Sequence, residues 1–163
     1  KGNYVDGKEQ GEFIDYYESG EVQWKEKFVD GQSQGLVIQY YESGAVKEKY
    51  VERKLNYVDG KEKEAYEYIR YYESGGISEK GNIVNGLQDG EYIHYYESGA
   101  VQSEYNLVDG QLQGQSRGYY ESGEVAYIFN YVDGKEQGEA ISYTINGEIE
   151  KIENYKDGVL IED

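Results

Sequence analysis

The chain of 163 residues contains no cysteine, no proline and no methionine, and it has one histidine and one tryptophan. Without cysteine there is no disulfide framework, no thiol nucleophile and no cysteine-built zinc site, and the redox compartment leaves no mark on the sequence. No apolar run approaches the roughly 18 to 20 residues that a membrane-spanning helix needs. Lys1 stands where an initiator methionine would, as expected of a fragment or of a mature product without its leader. Positive charge is also scarce: 16 lysines and arginines stand against 33 aspartates and glutamates, for a net charge of −17. Such a field opposes phosphate backbones and anionic lipid, so neither nucleic acid nor an anionic membrane is an expected partner.

What is abundant is glycine, 22 residues, and tyrosine, 21 residues. Low hydropathy with high net charge would by itself suggest disorder, but the tyrosines are periodic. Tyr-Tyr-Glu-Ser-Gly begins at Tyr16, Tyr40, Tyr71, Tyr95 and Tyr119, with a degenerate Tyr-Thr-Ile-Asn-Gly at Tyr143. A second signal, Val-Asp-Gly, begins at Val5, Val29, Val58, Val108 and Val132; Val84-Asn85-Gly86 is a variant and Lys156-Asp157-Gly158 an echo. Glycine tolerates positive φ and a preceding Ser or Asp can bond the local backbone, so both signals are turns. Two turns per period mean two strands per period. Glycine also breaks any 3.6-residue pattern before it lasts more than a turn or two, which argues against helix.

The expected fold is all-β: an elongated single-layer antiparallel sheet of about six tandem β-hairpin repeats. Residues 1–163 form one repeat domain, with units at roughly 5–28, 29–57, 58–83, 84–107, 108–131 and 132–155 and a partial unit 156–163. Two insertions fall within the surroundings of the third unit, near Glu52 to Asn56 and between Gly60 and Tyr71, and that unit has Glu64 where other units place Gly11, Gly35, Gly90, Gly114 or Gly138. A bulge or altered bend is expected there. If Ser19-Gly20-Glu21 is a three-residue loop, then Ile14, Tyr16, Val22, Trp24 and Phe28 share one apolar face. The opposite, more polar face then carries the second tyrosine of each pair.

Asp-Gly-x-x-x-Gly, followed by Tyr-Tyr-Glu-x-Gly-x and an apolar residue, runs from Asp6-Gly7 through Gly11 to Val22 and recurs over essentially the whole chain. It resembles the variant MORN repeat of bacterial proteins. Glu64, Arg117 in the isoleucine column and the sixth pentapeptide at Tyr143 depart from the pattern. The resemblance implies a sheet of stacked hairpins that acts as an interaction or scaffolding module, in a family with antitoxin-like members. Choline- and glucan-binding wall repeats share the alternation of aromatic pairs with small-polar-Gly turns, but build their cages from several tryptophans; here Trp24 is alone, and tyrosine would have to serve.

Nothing points to catalysis. His94 occupies a column that elsewhere holds Asp15, Gln39, Arg70, Gly118 and Ser142, which reads as a solvent-facing position. Glu18, Glu42, Glu73, Glu97 and Glu121 recur beside the turns. Two strand spacings, roughly 10 Å, would separate neighbours, too far to share one calcium. A catalytic carboxylate pair would break the repeat at one place, whereas these recur. No cofactor or metal is expected, and the chain is read as no enzyme. The candidate partner-binding residues are Tyr17, Tyr41, Tyr72, Tyr96 and Tyr120, since tyrosine buries large area at small rotamer cost and keeps a hydroxyl. The expected function is protein–protein interaction or scaffolding through an acidic, tyrosine-rich surface toward a basic partner. The alternatives are a surface or wall-associated carbohydrate-binding module and a plain architectural spacer whose exposed sheet edges permit end-to-end self-association.

Overall fold

The computed structural model describes residues 2–58 and 61–161, with side chains described outside 51–64. All the secondary structure in them is strand and turn. The chain divides into two compact units, Lys1–Ser78 with Ile83–Gly86 and Glu79–Asn82 with Leu87–Asp163. The first holds β1 (Asn3–Val5), β2 (Lys8–Tyr16), β3 (Val22–Val29), β4 (Gln32–Tyr40), β5 (Val46–Val58) and β6 (Lys61–Tyr71). β7 (Ile77–Val84) gives residues to both units. The second continues with β8 (Leu87–Gln88), β9 (Gly90–Tyr95), β10 (Val101–Val108), β11 (Gln111–Leu112), β12 (Gly114–Tyr119), β13 (Val125–Val132), β14 (Lys135–Glu136), β15 (Gly138–Tyr143), β16 (Ile149–Lys156) and β17 (Val159–Ile161). In the first unit each strand from β1 to β6 pairs antiparallel with the next. In the second, β7, β9, β10, β12, β13, β15 and β16 follow one another in the same way. Each unit is therefore a single antiparallel layer of consecutive hairpins, as the two turn signals require.

The two turns differ. At the Asp-Gly turns both residues have positive φ, 51° and 79° at Asp30-Gly31 and 51° and 78° at Asp133-Gly134. This is the two-residue type I′ turn, whose twist matches that of paired strands. The Asp59-Gly60 turn lies outside the described residues. The other loop has three residues, Glu18-Ser19-Gly20, closed by Tyr17 N–H donating to Glu21 O at 2.8 Å and Gly20 N–H to Tyr17 O at 2.9 Å. It lies one residue earlier than Ser19-Gly20-Glu21.

That shift, with a bulge beside it, changes the faces. Tyr16 pairs with Val22 but Asp15 pairs with Trp24, so Gln23 is an extra residue in β3. Directly opposed side chains share a face, so Ile14, Tyr16 and Val22 lie together, facing with Lys25, while Trp24 and Phe28 fall on the other side with Phe13. The same bulge recurs at Tyr40, Tyr95, Tyr119 and Tyr143. The expectation that Trp24 and the Phe28 column join the isoleucine face is thus corrected.

The better-packed face is also the other one. Val37 is 4% exposed, Tyr68 2% and Tyr92 0%, with Ser116 and Ala140 buried as well. These five, with Phe13, form one column, each a residue before the isoleucine column. Across the strands Phe13 faces Glu26, Val37 faces Tyr50, Tyr92 faces Tyr105, Ser116 faces Phe129 and Ala140 faces Glu153. By strand alternation the second tyrosine of each pair belongs to this face. A single layer has no second sheet to close it, so aromatic rings lie over small neighbours instead. A Cβ on Gly81 would sit 2.2 Å from the Tyr92 ring, and one on Gly118 2.1 Å from Tyr127.

In the third unit, β5 and β6 stay in unbroken register from Glu48 opposite Arg70 to Leu55 opposite Lys63, with the irregularity between Leu55 and Val58. The insertions lengthen both arms, to 13 and 11 residues. The bulge lies in β5 rather than at Glu64. Gly90, Gly114 and Gly138 adopt positive φ where strands restart; a residue with a Cβ disfavours that conformation, and β6 runs straight through the position.

Candidate repeat surface and aromatic trough

Four of the second tyrosines tie one hairpin to the next. The Tyr17 hydroxyl donates to the Tyr40 carbonyl at 2.6 Å, Tyr41 to Tyr71 at 2.8 Å, Tyr96 to Tyr119 at 2.7 Å and Tyr120 to Tyr143 at 2.7 Å. All five second tyrosines, Tyr72 included, are half-buried. Where these bonds form the hydroxyl is committed within the sheet, and what remains to offer a ligand is ring surface.

A second tie runs along the Asp-Gly turns. The Asp30 N–H donates to the Gln10 side chain at 2.9 Å, Asp133 to Gln113 at 2.9 Å and Asp157 to Gln137 at 2.9 Å. At Asp109 the acceptor is the Asp89 carboxylate, at 3.1 Å. The first tyrosines are used differently. Lys25 lies 5.5 Å from the centre of the Tyr40 ring, Lys49 5.4 Å from Tyr71 and Lys80 5.5 Å from Tyr95, the geometry of a cation–π contact. In the next unit the lysine position holds Glu104, which accepts the Tyr119 hydroxyl at 2.6 Å and pairs with Arg117 at 3.4 Å. Arg117, the odd residue in the isoleucine column, is thus explained by the glutamate opposite it.

The family profile of the MORN repeat variant matches residues 88–109 and 112–133. These two stretches are similar to the variant MORN repeat. Each matched stretch holds one Tyr-Tyr-Glu-Ser-Gly loop and ends on the aspartate of an Asp-Gly turn, Asp109 or Asp133. No curated protein matches the chain. Among solved structures, a Bacteroides fragilis protein of unknown function aligns over 91% of this chain and 95% of its own, at 9% identity and a TM-score of 0.19; that likeness carries no argument.

Along the hairpins the acidic row stands clear of the packed faces. Glu18, Glu42, Glu73, Glu97 and Glu121 are all exposed. Hydrogen bonds from Ser122 and its own backbone N–H hold the Glu124 carboxyl below the usual range. Among the described residues no three His, Asp or Glu are placed to hold a metal ion. His94 is not on an open polar face: it lies on the packed side, 2.8 Å from the Tyr105 hydroxyl through Nε2 and stacked 5.6 Å from that ring.

Beside His94 the packed face of the second unit opens into a trough. Ser103 faces both His94 and Gly118, and Ser116 lies one step along, opposite Phe129. In the equivalent places the other repeats carry Trp24, Glu48, Glu79, Tyr127 or Lys151 for Ser103, and Phe13, Val37, Tyr68, Tyr92 or Ala140 for Ser116. Three adjoining positions are thus small at one place, between the rings of Tyr105, Tyr127 and Phe129. Burial, with Glu79, Tyr92 and Tyr127 nearby, raises the Tyr105 pKa above its ordinary 10.0, and burial likewise raises that of Tyr131. Both phenols stay protonated, able to donate and accept. Column-by-column reading of the sequence missed this site, because it records what recurs; the signal was the joint loss of bulk at Ser103, Ser116 and Gly118.

Proposed function

We propose that this chain is a non-catalytic repeat module that binds a protein partner carrying a basic surface. The observation that supports the reading is the row of exposed glutamates, one at every Tyr-Tyr-Glu-Ser-Gly loop, on a chain of net charge −17. A field of this size accelerates encounter with a positive partner and repels nucleic acid and anionic lipid. The rings of Tyr17, Tyr41, Tyr72, Tyr96 and Tyr120 stand next to that row in the sequence and supply apolar contact. Lys47 lies 5.9 Å from the Tyr41 ring centre, a contact that a partner's lysine or arginine can reproduce. The test is capture from the source lysate at low and high salt, with the five loop glutamates changed to glutamine and, separately, the five tyrosines to alanine. A protein captured at low salt, released at high salt and lost with the glutamine variant supports the proposal. Undiminished capture by the glutamine variant would show that the acidic row is only a solvated edge.

A further inference from the structure

The trough on the second unit is distinct from the acidic loop row. It comprises two adjoining hollows of about 450 Å³ each, which share Ser103, Tyr105 and Tyr127. Each lies within the ~300–1,000 Å³ typical of ligand pockets. Their lining is unusual for this molecule. Charged residues make up 30% of the chain, yet no Asp, Glu, Lys or Arg lines either hollow. The polar groups that can meet a ligand there are neutral: the hydroxyls of Ser103, Ser116, Tyr127 and Tyr131 and the amides of Gln88 and Gln102, while the Tyr96, Tyr119 and Tyr120 hydroxyls are bonded within the sheet and offer their rings.

We infer that this trough binds a neutral oligosaccharide. An ammonium or guanidinium ligand finds no carboxylate in the lining to pair with, and an anionic one no lysine or arginine, besides facing the net charge of −17. A purely aliphatic ligand would desolvate the serine hydroxyls and glutamine amides without replacing their hydrogen bonds, which is costly. A pyranose ring has both kinds of surface, C–H faces that lie on aromatic rings and equatorial hydroxyls that exchange hydrogen bonds. The trough offers both: the Tyr127 ring, 37% exposed, flanked by Phe129 at 5.6 Å, and the neutral donors and acceptors around Ser103. Two hollows in series fit a chain of sugars rather than one. In the sequence the three small residues coincide in one repeat only, which is what a specific function requires and a structural repeat does not.

The test is isothermal titration of the full chain with cellohexaose, chitohexaose, maltohexaose and laminarihexaose, at 50 and 500 mM NaCl (about one third of and three times physiological ionic strength), with hyaluronan hexasaccharide as the charged control. At least one neutral sugar binds with a Kd of about 1 mM or tighter, unchanged by salt, while hyaluronan does not. Tyr127→Ala removes a stacking ring and weakens the affinity about tenfold or more. Ser103→Trp fills the trough with the residue that the first repeat carries at the equivalent place, Trp24, and abolishes binding with the far-ultraviolet circular dichroism retained. Failure of all four neutral sugars overturns the inference, as does binding that survives Ser103→Trp in a folded protein or that falls with salt. These outcomes are independent of the glutamine variant that tests the basic-partner proposal.

Discussion

Tyr92 and Gly81 form a pair whose energetics follow from the single-layer architecture. Tyr92 is 0% exposed, stacks on Tyr105 at 5.7 Å and 7°, and donates its hydroxyl to the Asn82 carbonyl. Its ring occupies the space where a Cβ of Gly81 would stand, 2.2 Å from the nearest ring carbon. Tyr92→Ala removes a fully buried aromatic, a loss of about 3–5 kcal/mol. Gly81→Ala in the wild type forces the ring outward and costs about 1–3 kcal/mol. In the Tyr92→Ala background the same Gly81→Ala change meets no ring. Gly81 does not adopt positive φ, so alanine there fits the backbone and restricts the unfolded chain, and the expected effect lies between zero and a gain of about 1 kcal/mol. The double-mutant cycle therefore returns a coupling of at least about 1 kcal/mol. Urea unfolding followed by circular dichroism measures all four corners. Additive effects within about 0.5 kcal/mol would refute the claim that ring-over-glycine packing replaces a second layer, and so would a Tyr95→Ala loss equal to that of Tyr92→Ala.

Four further outcomes are expected. Tyr96→Phe removes the 2.7 Å bond to the Tyr119 carbonyl and lowers stability by about 0.5–1.5 kcal/mol in the same urea assay. Asp109 has φ of 49°, so Asp109→Val costs about 1–2 kcal/mol while Asp109→Gly stays close to wild type. Gln137→Ala leaves the Asp157 N–H without its 2.9 Å acceptor; this turn is exposed, water replaces the bond, and the loss is under about 1 kcal/mol. The phenols of Tyr105 and Tyr131 have folded pKa values above the ordinary 10.0. The unfolded chain therefore releases these protons first as pH rises, so their contribution is complete below about pH 10 and is lost as pH climbs through the folded values. Thermal melts across the alkaline range should show a decline that weakens in Tyr105→Phe.

Much of the fold was legible because turn chemistry is local. Asp-Gly and Ser-Gly specify positive φ within a few residues, and their alternation fixes consecutive antiparallel hairpins without reference to anything distant. The faces were not legible. They depend on whether one residue, Gln23 or its counterparts, is accommodated as a bulge beside the loop, and a single extra residue reverses every side chain beyond it. The isoleucine, Tyr16 and Val22 columns were grouped correctly with each other, while Trp24 and Phe28 were placed with them wrongly. The packed column of Val37, Tyr68 and Tyr92 went unremarked because its members vary from phenylalanine to serine. The second tyrosines were recognisable as a repeated feature, but a hydroxyl aimed at the next hairpin's carbonyl cannot be inferred from their spacing.

The sequence by itself determined the repeat, the all-β class, the positions of the turns and the acidic field, since each rests on local backbone preference or on summed charge. Only the tertiary structure decided which side of the sheet is packed, and that Glu104 and Arg117 answer one another across strands. It alone brought Ser103, Ser116 and Gly118 together beside the Tyr127 ring. Those are matters of register between strands, set by cross-strand packing and bulges, and a pattern along one chain does not record them.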